Sequence, residues 1–231
     1  MTKPKRSRAA SGSKDDPTPR IAILDAAEAQ FAERGFNGTS VREIGARADT
    51  NPGLVHYYFK SKEDLLREVI ARRATELNAI RRENLLVLFA NSAPGLPSLE
   101  EVLEAFIRPA LEAGRDDARG GRAYTKLLFS LTAATDPLSV ELISGNFDGI
   151  ARMSIDSMKR VVPELTDEEA VQCYLSAIHM AFSLMAPTGR ATKLAGEGDF
   201  ETNADHAIDF AVKFGAAGIQ AIARKTDEAV G

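Results

Sequence analysis

The stretch TSVREIGARADTNPGLVHYYFKSKEDL, residues 39–65, contains two short helical patterns separated by a turn. The first pattern covers residues 40–48, where Ser40 and Glu43 stand at the two offsets of a capping box. Its apolar positions recur at helical spacing and are Val41, Ile44 and Ala48. A short capped helix is therefore predicted here.

The second pattern begins sharply at Asn51, a good N-cap, with Pro52 at the first helical position, where its missing N–H costs nothing. Residues 53–59 are too few for a helix that is stable alone in water. Asp49 lies in the connection and tolerates the positive φ that such a turn favours. The groups suited to entering a DNA groove are Gly53, Leu54, His56, Tyr57 and Tyr58. We therefore predict a DNA-reading helix-turn-helix.

A preceding helix can support this motif. It is predicted from Thr18 to Arg34, with Pro19 at its first position and Gly35 as its stop. Its apolar stripe is Ile21, Leu24, Ala27 and Phe31. Packed on the two short helices, this stripe completes a three-helix unit. The other core candidates are Phe36, Val41, Ile44, Val55 and Phe59.

The chain beyond the motif is also helical in pattern. A long connector helix starts at its cap Ser61 and runs towards Phe89, before the Pro- and Gly-containing loop 91–97. Its apolar positions include Leu65, Leu66, Val69, Ile70, Leu77 and Ile80. Five further helices are predicted over residues 98–113, 119–134, 137–161, 167–186 and 204–224. The predicted fold class is all-α.

Charge divides the chain unevenly. Residues 1–82 hold 16 Lys and Arg against 11 Asp and Glu, whereas residues 83–231 hold 13 against 22, within a total net charge of −4. The basic half is where a polyanion would bind, although so small an excess can arise by chance. We predict a flexible basic tail over 1–17, a DNA-binding domain over 18–62 and a helical domain over 63–231. The tail is either solvated or in contact with DNA.

Other functional classes have little support. Cys173 is the only cysteine, which excludes an internal disulfide, and no signal peptide or membrane span is predicted, so a cytoplasmic location is expected. No phosphate-binding glycine loop or Gly-x-Ser-x-Gly elbow occurs, so we expect no enzymatic activity. A metal corner at Asp205, His206 and Asp209 is an alternative to a solvated helix start. We expect no metal and no cofactor.

The last predicted helix carries the small residues Ala211, Gly215 and Gly218 on one side. Glycine in a helix interior costs about 1 kcal/mol relative to alanine, so a packing reason is expected at this face. The face can serve self-association or ordinary packing within the chain, and composition alone does not decide between them.

Residues 18–66 resemble the tetracycline-repressor (TetR) family of bacterial transcriptional regulators. The family pattern appears as Ile44-Gly45, residues 48–51, the aromatic run 55–59 and Ser61-Lys62-Glu63 with Leu65. The sequence departs from that pattern at Gly45, Asp49 and His56, where the family more often has Ala, Gly and Tyr. The resemblance implies an all-α homodimer with an N-terminal DNA-binding domain and a C-terminal domain for ligand binding and dimerisation.

The resemblance also implies which residues contact DNA. They are Ser40, Arg42, Pro52, Gly53, Leu54, His56, Tyr57, Tyr58 and Lys62. Arg42 is suited to a guanine edge and Leu54 to a thymine methyl, whereas Ser40, the tyrosine hydroxyls and Lys62 are suited to phosphate oxygens. Arg42 can alternatively pair with a nearby carboxylate.

For the C-terminal domain the resemblance is one of architecture. The expected ligand-binding residues are Phe106, Arg108, Tyr124, Phe129, Phe147, Met153, Cys173 and His179, with Arg108 or Arg152 available for a carboxylate or phosphate. The expected dimer interface consists of Val171, Leu175, Ile178, Phe182, Ala211, Gly215, Gly218 and Ile222. Each apolar residue among them can equally be ordinary core.

The function predicted from the sequence is that of a DNA-binding transcriptional regulator that reads an inverted repeat. Its expected partners are an operator in double-stranded DNA, a second copy of itself and a small-molecule ligand, with no membrane. A repressor released by ligand is favoured. The alternatives are a ligand-responsive activator and a helical protein that binds DNA without sequence preference.

Overall fold

The computed structural model describes residues 18–185, 193–194, 196 and 203–230, with side chains as far as Arg224 in the last helix. Within these residues the chain is helical and contains no strand, so the all-α prediction is confirmed. The helices are α1 (Pro19–Arg34), α2 (Val41–Arg47), α3 (Pro52–Tyr58), α4 (Lys62–Ser92), α5 (Leu99–Arg115), α6 (Gly121–Thr132), α7 (Pro137–Val161), α8 (Asp167–Met185) and α9 (Ala204–Val230). A 3-10 turn, Asp117–Arg119, joins α5 to α6. The predicted tail 1–17 lies outside the described residues.

Local capping explains where the first helices begin and end. Pro19 occupies the first turn of α1, and Gly35 ends that helix with φ of 72°. Side-chain oxygens of Asn51 and Ser61 accept hydrogen bonds from the first turns of α3 and α4. These helix starts therefore follow directly from sequence, as predicted.

The buried side chains form two apolar clusters. The first joins α1, α2 and α3 to the beginning of α4, and it also includes residues of α6 and Leu142 of α7. Of the predicted core, Ile44, Val55 and Phe59 are buried in it, whereas Phe36 and Val41 are half-buried at its edge. The second cluster joins the end of α4 to α5, α7, α8 and α9. Helix α4 thus takes part in both clusters.

Two predicted stripe residues are not in the core. Ile21 of α1 and Ile80 of α4 are exposed by 44% and 45%. The buried face of α1 includes Ile23 together with the predicted Leu24, Ala27 and Phe31, and Ile21 lies outside it. Ile80 lines the partly open cavity described below.

Pro109 lies inside α5 and changes how α5 meets α4. A proline in a helix interior has no N–H to donate and crowds the carbonyl four residues before it. In this helix that carbonyl, on Ala105, accepts a hydrogen bond from Asn84 Nδ2 at 3.3 Å. The next carbonyl, on Phe106, accepts from Arg81 Nε at 2.9 Å. Polar side chains of α4 therefore satisfy the backbone at this interruption.

In the described part of the chain, no single helix is both long and apolar enough to span a membrane. The pair Gly121–Thr132 and Pro137–Val161 reaches that length and hydropathy only when taken together, and its two helices meet at 117°.

Candidate DNA interface and ligand cavity

The start of α2 is fixed by the predicted capping box. Ser40 Oγ accepts from the Glu43 backbone N–H at 3.3 Å, and the Glu43 carboxylate accepts from the Ser40 backbone N–H at 2.9 Å. The Ser40 hydroxyl also donates to Glu43 at 2.7 Å. These hydrogen bonds from Ser40, with the neighbouring charge of Arg34, lower the pKa of Glu43. Ser40 therefore orders α2, and its predicted phosphate contact stays a prediction.

The turn between α2 and α3 is as tight as the sequence suggested. Asp49 adopts φ of 50°, and it is the one non-glycine residue with positive φ in the described part of the chain. The Thr50 N–H donates to the Gly45 carbonyl at 2.8 Å. A Cβ atom at Gly45 would lie 3.2 Å from the Thr50 carbonyl oxygen, so glycine allows a close approach between α2 and the turn.

Helix α3 buries Val55 and presents most of its other residues to solvent. Val55 is buried in the first apolar cluster, and Leu54 is half-buried. Tyr57 is 80% exposed, and its ring lies edge-on to Tyr58 at a centroid distance of 5.2 Å. The other predicted contact residues of this helix, Pro52, Gly53 and His56, are also exposed. The outward face of α3 is thus small at its start and aromatic at its end.

Arg42 differs from the other arginines near α2. Arg34 pairs with Glu43 at 2.6 Å, and Arg47 pairs with Glu33 at 2.8 Å. Arg42 is exposed and has no ion pair or hydrogen bond to the described residues. The alternative, in which Arg42 forms an ion pair with a nearby carboxylate, is therefore wrong for the described residues. Its guanidinium is available for a base or a phosphate.

Lys62 is held more tightly than a surface lysine. Its ammonium donates to the carbonyls of Phe36 at 2.9 Å and Thr39 at 3.0 Å, and it lies 4.2 Å from the centre of the Phe36 ring. These contacts tie the start of α4 to the loop between α1 and α2. An ammonium has three N–H donors, so one remains for the predicted phosphate contact.

Sequence reasoning missed the residue that fixes this loop from within. Thr39 is buried, and its hydroxyl is within hydrogen-bonding distance of the carbonyls of Gln30 at 3.1 Å and Gly35 at 2.9 Å. A threonine directly before the capping box was the available signal. Its hydroxyl stabilises the end of α1 in the position that α2 requires.

Residues of five helices, α4 to α8, line a partly open cavity of about 460 Å³. Three of the predicted ligand-binding residues line it, namely Tyr124, Phe147 and His179. Burial raises the pKa of Tyr124, whose hydroxyl donates to the Ile70 carbonyl at 3.3 Å. Most of the remaining lining is apolar, as is usual for small-molecule sites.

The other five predicted ligand-binding residues do not line this cavity. Phe106 and Cys173 are buried in the second apolar cluster, with Met153 packed against it. Phe129 is exposed, and Arg108 pairs with Glu104, Glu112 and Asp205 on the surface. Arg152, the other proposed anchor, pairs with Asp148. Helical spacing places a residue on a helix face but does not tell which neighbouring helix that face contacts, so it could not show which of these residues line the cavity.

Arg81 also lines the cavity and was not predicted. It is only 5% exposed. The signal was present in the sequence, because Arg81 lies four residues from both Leu77 and Leu85, which are buried on the same helix. A charged residue at a core position of an apolar stripe indicates a polar requirement inside the fold.

The predicted dimer residues divide between two faces. Val171, Gly218 and Ile222 are exposed and lie outside the cavity lining. Leu175 is also exposed but lines the cavity, together with the half-buried Ile178 and Phe182. Ala211 has no exposed surface because it packs in the second cluster, so its predicted place at a dimer interface is wrong. A Cβ at Gly215 would lie 3.5 Å from Leu103 of the same chain. The sequence spacing therefore assigned Ala211, which lies on the buried face of α9, to its exposed face.

The outward face of α9 is aromatic, a feature that sequence reasoning missed. Phe210 and Phe214 are 49% and 66% exposed, and their rings stack at 5.7 Å. Their spacing of four residues was a possible signal.

Among the described side chains, no group of three His, Cys, Asp or Glu residues converges on a possible metal site.

Comparisons with known proteins match both parts of the chain. Residues 23–69 match the family described as "Bacterial regulatory proteins, tetR family", and residues 104–218 match "Tetracyclin repressor-like, C-terminal domain". An HTH-type transcriptional repressor of Mycobacterium tuberculosis is 44% identical over 59 residues, which cover 26% of this chain and 31% of the relative. RutR, an HTH-type transcriptional regulator of Escherichia coli, is 30% identical over 63% of this chain and 60% of its own length.

Solved structures share the fold. A TetR-family transcriptional regulator from Bordetella parapertussis superposes with a TM-score of 0.63 at 18% identity, over 85% of this chain and 93% of the other. A transcriptional regulator from Pseudomonas aeruginosa gives 0.61 at 16% identity, over 90% and 93%.

Proposed function

The chain belongs to the TetR family of DNA-binding transcriptional regulators, and on that premise we propose that it represses transcription as a homodimer on an inverted-repeat operator. A small molecule bound in the cavity lined by helices α4 to α8 releases the protein from the operator. The protein acts on DNA in the cytoplasm. The proposal rests on one observation: Arg42, which has no ion pair or hydrogen bond to the described residues, and the exposed aromatic residues of α3 occur in the same helix-turn-helix.

The two short helices divide the work on DNA. α3 enters the major groove with the small residues Pro52 and Gly53 at its N-terminal end, so that its backbone approaches the bases. Tyr57 and Tyr58 at the other end offer hydroxyls to phosphates. Arg42 extends from the first turn of α2 and contacts a guanine edge or a phosphate beside it.

The homodimer forms through the outward faces of α8 and α9. These faces carry the exposed apolar residues Val171, Leu175, Phe210, Phe214 and Ile222. Soluble monomers seldom expose so many large apolar groups on adjacent elements, so burial against a second copy is favoured. The two copies then read half-sites about 34–36 Å apart, one helical turn of DNA.

Helix α6 links the cavity to the DNA-binding part. Tyr124 and Leu128 of α6 line the cavity and also belong to the first apolar cluster, which packs against α1. A ligand that displaces α6 therefore acts on the packing that orients α1, α2 and α3. Coupling of about 1–3 kcal/mol is typical of such systems, and by linkage the operator weakens ligand binding equally.

Selection of bound fragments from random DNA tests the operator proposal. We expect recovery of an inverted repeat with half-site centres one helical turn apart. Arg42→Ala should then weaken binding by about 1–3 kcal/mol and relax the preference at one base pair of each half-site. Arg47→Ala is the matched control, because Arg47 is exposed but already paired with Glu33. Recovery of no consensus sequence would reject an operator.

The dimer proposal is tested by sedimentation. Phe214→Glu places a charge in the proposed interface and should shift the protein to monomers while also weakening operator binding. Val140→Glu on α7 is the control, because Val140 is a similarly exposed apolar residue outside α8 and α9. An unchanged dimer with Phe214→Glu would place the interface elsewhere.

A further inference from the structure

The cavity has a predominantly apolar lining with a buried cation in it. Leu77 and Ile80 of α4 line it together with Leu128, Ile143 and Ile178 from the other helices. Arg81 lies among them. A chamber of this composition suits a ligand with a large apolar body and one charged end.

The hydrogen-bonding capacity of Arg81 is largely unused. Its Nε donates to the Phe106 carbonyl at 2.9 Å, next to the Pro109 interruption of α5. A guanidinium has five N–H donors, and the other four have no acceptor among the described residues. Arg81 is only 5% exposed and lines the cavity, so we expect a molecule bound there to reach these donors. The structural role at Pro109 therefore accounts for one donor out of five.

Arg81 also has no direct carboxylate partner, although Glu76, Glu112, Asp116 and Asp148 line the same cavity. Two other arginines line the cavity, and each has a carboxylate: Arg73 pairs with Glu28, and Arg119 pairs with Glu76. Arg81 has no ion pair with a described residue. Burial lowers the pKa of Arg81, against the weaker opposing effect of the Tyr174 and Tyr124 side chains. A buried cation without a partner is costly, and an incoming anion removes that cost.

We propose that the cavity binds a small amphipathic molecule with a single carboxylate, which forms a bidentate pair with the Arg81 guanidinium. Tyr174 lines the same cavity, and its hydroxyl has no hydrogen-bond partner among the described residues, so we expect it to donate to the same carboxylate. This inference rests on the proposed function, because it names the chemical class of the ligand that the regulator senses.

The charge and the volume restrict the ligand further. A carboxylate carries one negative charge and matches one guanidinium, whereas a phosphate monoester carries nearly two and finds no second free arginine in the lining. At roughly 30 Å³ for each water-sized group, a cavity of about 460 Å³ holds a molecule on the order of 15 non-hydrogen atoms. Medium-chain and arylalkyl carboxylic acids have this size.

Calorimetric titration of the full-length, DNA-free protein tests the proposal. The probes are octanoate, decanoate and 4-phenylbutyrate, each with its matched alcohol, and decyl phosphate. We expect at least one carboxylate to bind about 10- to 100-fold more tightly than its alcohol, the range of a charged hydrogen-bonded pair. Decyl phosphate should bind more weakly than decanoate.

Variants identify the anchor. Arg81→Met should remove the preference for carboxylate over alcohol, and Tyr174→Phe should weaken carboxylate binding about 3- to 10-fold. Arg82→Met is the matched control, because Arg82 is the next residue of α4 and is exposed. If Arg81→Met fails to fold, the comparison of acid with alcohol on the unaltered protein still decides the outcome.

Three results would overturn the proposal: no carboxylate binds, the alcohols bind equally well, or the phosphate binds best. Operator release is measured separately, by titrating the same probes into the protein–operator complex. Carboxylate binding that depends on Arg81 without operator release would support the ligand class while rejecting ligand-responsive repression. If only a neutral molecule releases the operator, ligand-responsive repression would be supported and the carboxylate ligand class would be rejected.

Discussion

Arg73 of α4 holds Glu28 of α1 in a bidentate ion pair, with Nε to Oε2 and Nη2 to Oε1 both at 2.7 Å. The Glu28 side chain is only 3% exposed, and Arg72 approaches the same carboxylate at 3.1 Å. Burial by itself lowers the pKa of Arg73, but the hydrogen bonds and charge of Glu28 outweigh this, so its pKa is raised. Arg73 also donates to the Arg119 carbonyl in the 3-10 turn and lines the cavity. One carboxylate thus connects the DNA-binding part, the connector helix and the cavity wall.

Glu28→Gln should destabilise the protein because it leaves Arg73 partly buried without a counter-charge. We expect a loss of about 3 kcal/mol in the free energy of unfolding, the scale for removing one partner of a buried pair. Urea unfolding measures it. Glu76→Gln is the control, because Glu76 pairs with Arg119 in an exposed position where an ion pair contributes little to stability. Equal losses in the two variants would contradict the connecting role of Glu28.

Lys62→Met separates the structural role of this lysine from its predicted role at DNA. The loss of two charged hydrogen bonds to the Phe36 and Thr39 carbonyls should lower the free energy of unfolding by about 2 kcal/mol. If the third N–H contacts a phosphate, the slope of log K against log salt for operator binding also falls by about one unit. Fluorescence anisotropy at several salt concentrations measures that slope. An unchanged slope would reject the phosphate contact and leave the structural role.

Asp49→Gly should stabilise the helix-turn-helix. Asp49 has φ of 50°, a conformation that costs an L-residue on the order of 1 kcal/mol and costs glycine little. For a domain of this size, about 1 kcal/mol corresponds to a rise in Tm of roughly 2–4 °C, which calorimetry can resolve. Gly35→Ala is the opposite control, because Gly35 has φ of 72° and open space around it, so only backbone strain changes. A fall in Tm with Asp49→Gly would mean that the aspartate side chain stabilises the turn.

The capping boxes should make stability depend on acidity below about pH 4.5. Hydrogen bonds from Ser40 lower the pKa of Glu43 from its ordinary value of 4.5, and Ser98 does the same for Glu101 at the start of α5. The unfolded chain therefore binds protons before the folded chain does as pH falls, and the stabilisation present above the ordinary value is lost on acidification through the folded pKa. Urea midpoints between pH 6 and pH 3 measure this loss.

Glu43→Gln provides the matched variant for the acid effect. Glutamine keeps the reciprocal hydrogen bonds of a capping box but does not titrate, so the variant should lose less stability than the unaltered protein over this pH range. Glu83→Gln is the control, since Glu83 is exposed and has no hydrogen bond to the described residues. An identical acid response for Glu43→Gln and the unaltered protein would exclude a contribution from the box at α2.

Local sequence determined the helix-turn-helix. The capping box at Ser40, the Asn51-Pro52 start and the positive φ at Asp49 are decided by interactions within a few residues, so each was predictable and each is present. The order of the later helices was predictable for a similar reason, because caps and prolines end helices locally. The full list of DNA contacts stays a prediction.

Only the tertiary structure decided what each helix face meets. Spacing placed Ala211 and Ile222 on the same helix, but the packing of α9 on α5 buries the first and exposes the second. Spacing likewise selected eight residues for a ligand, of which three line the cavity, and it passed over Arg81. Residues nearby in the sequence determine whether a side chain lies in a helix. The residues that it packs against come from helices distant in the sequence. Residues 39–65 thus determined the local form of the helix-turn-helix, and the packing of α4 to α8 decided which residues line the cavity.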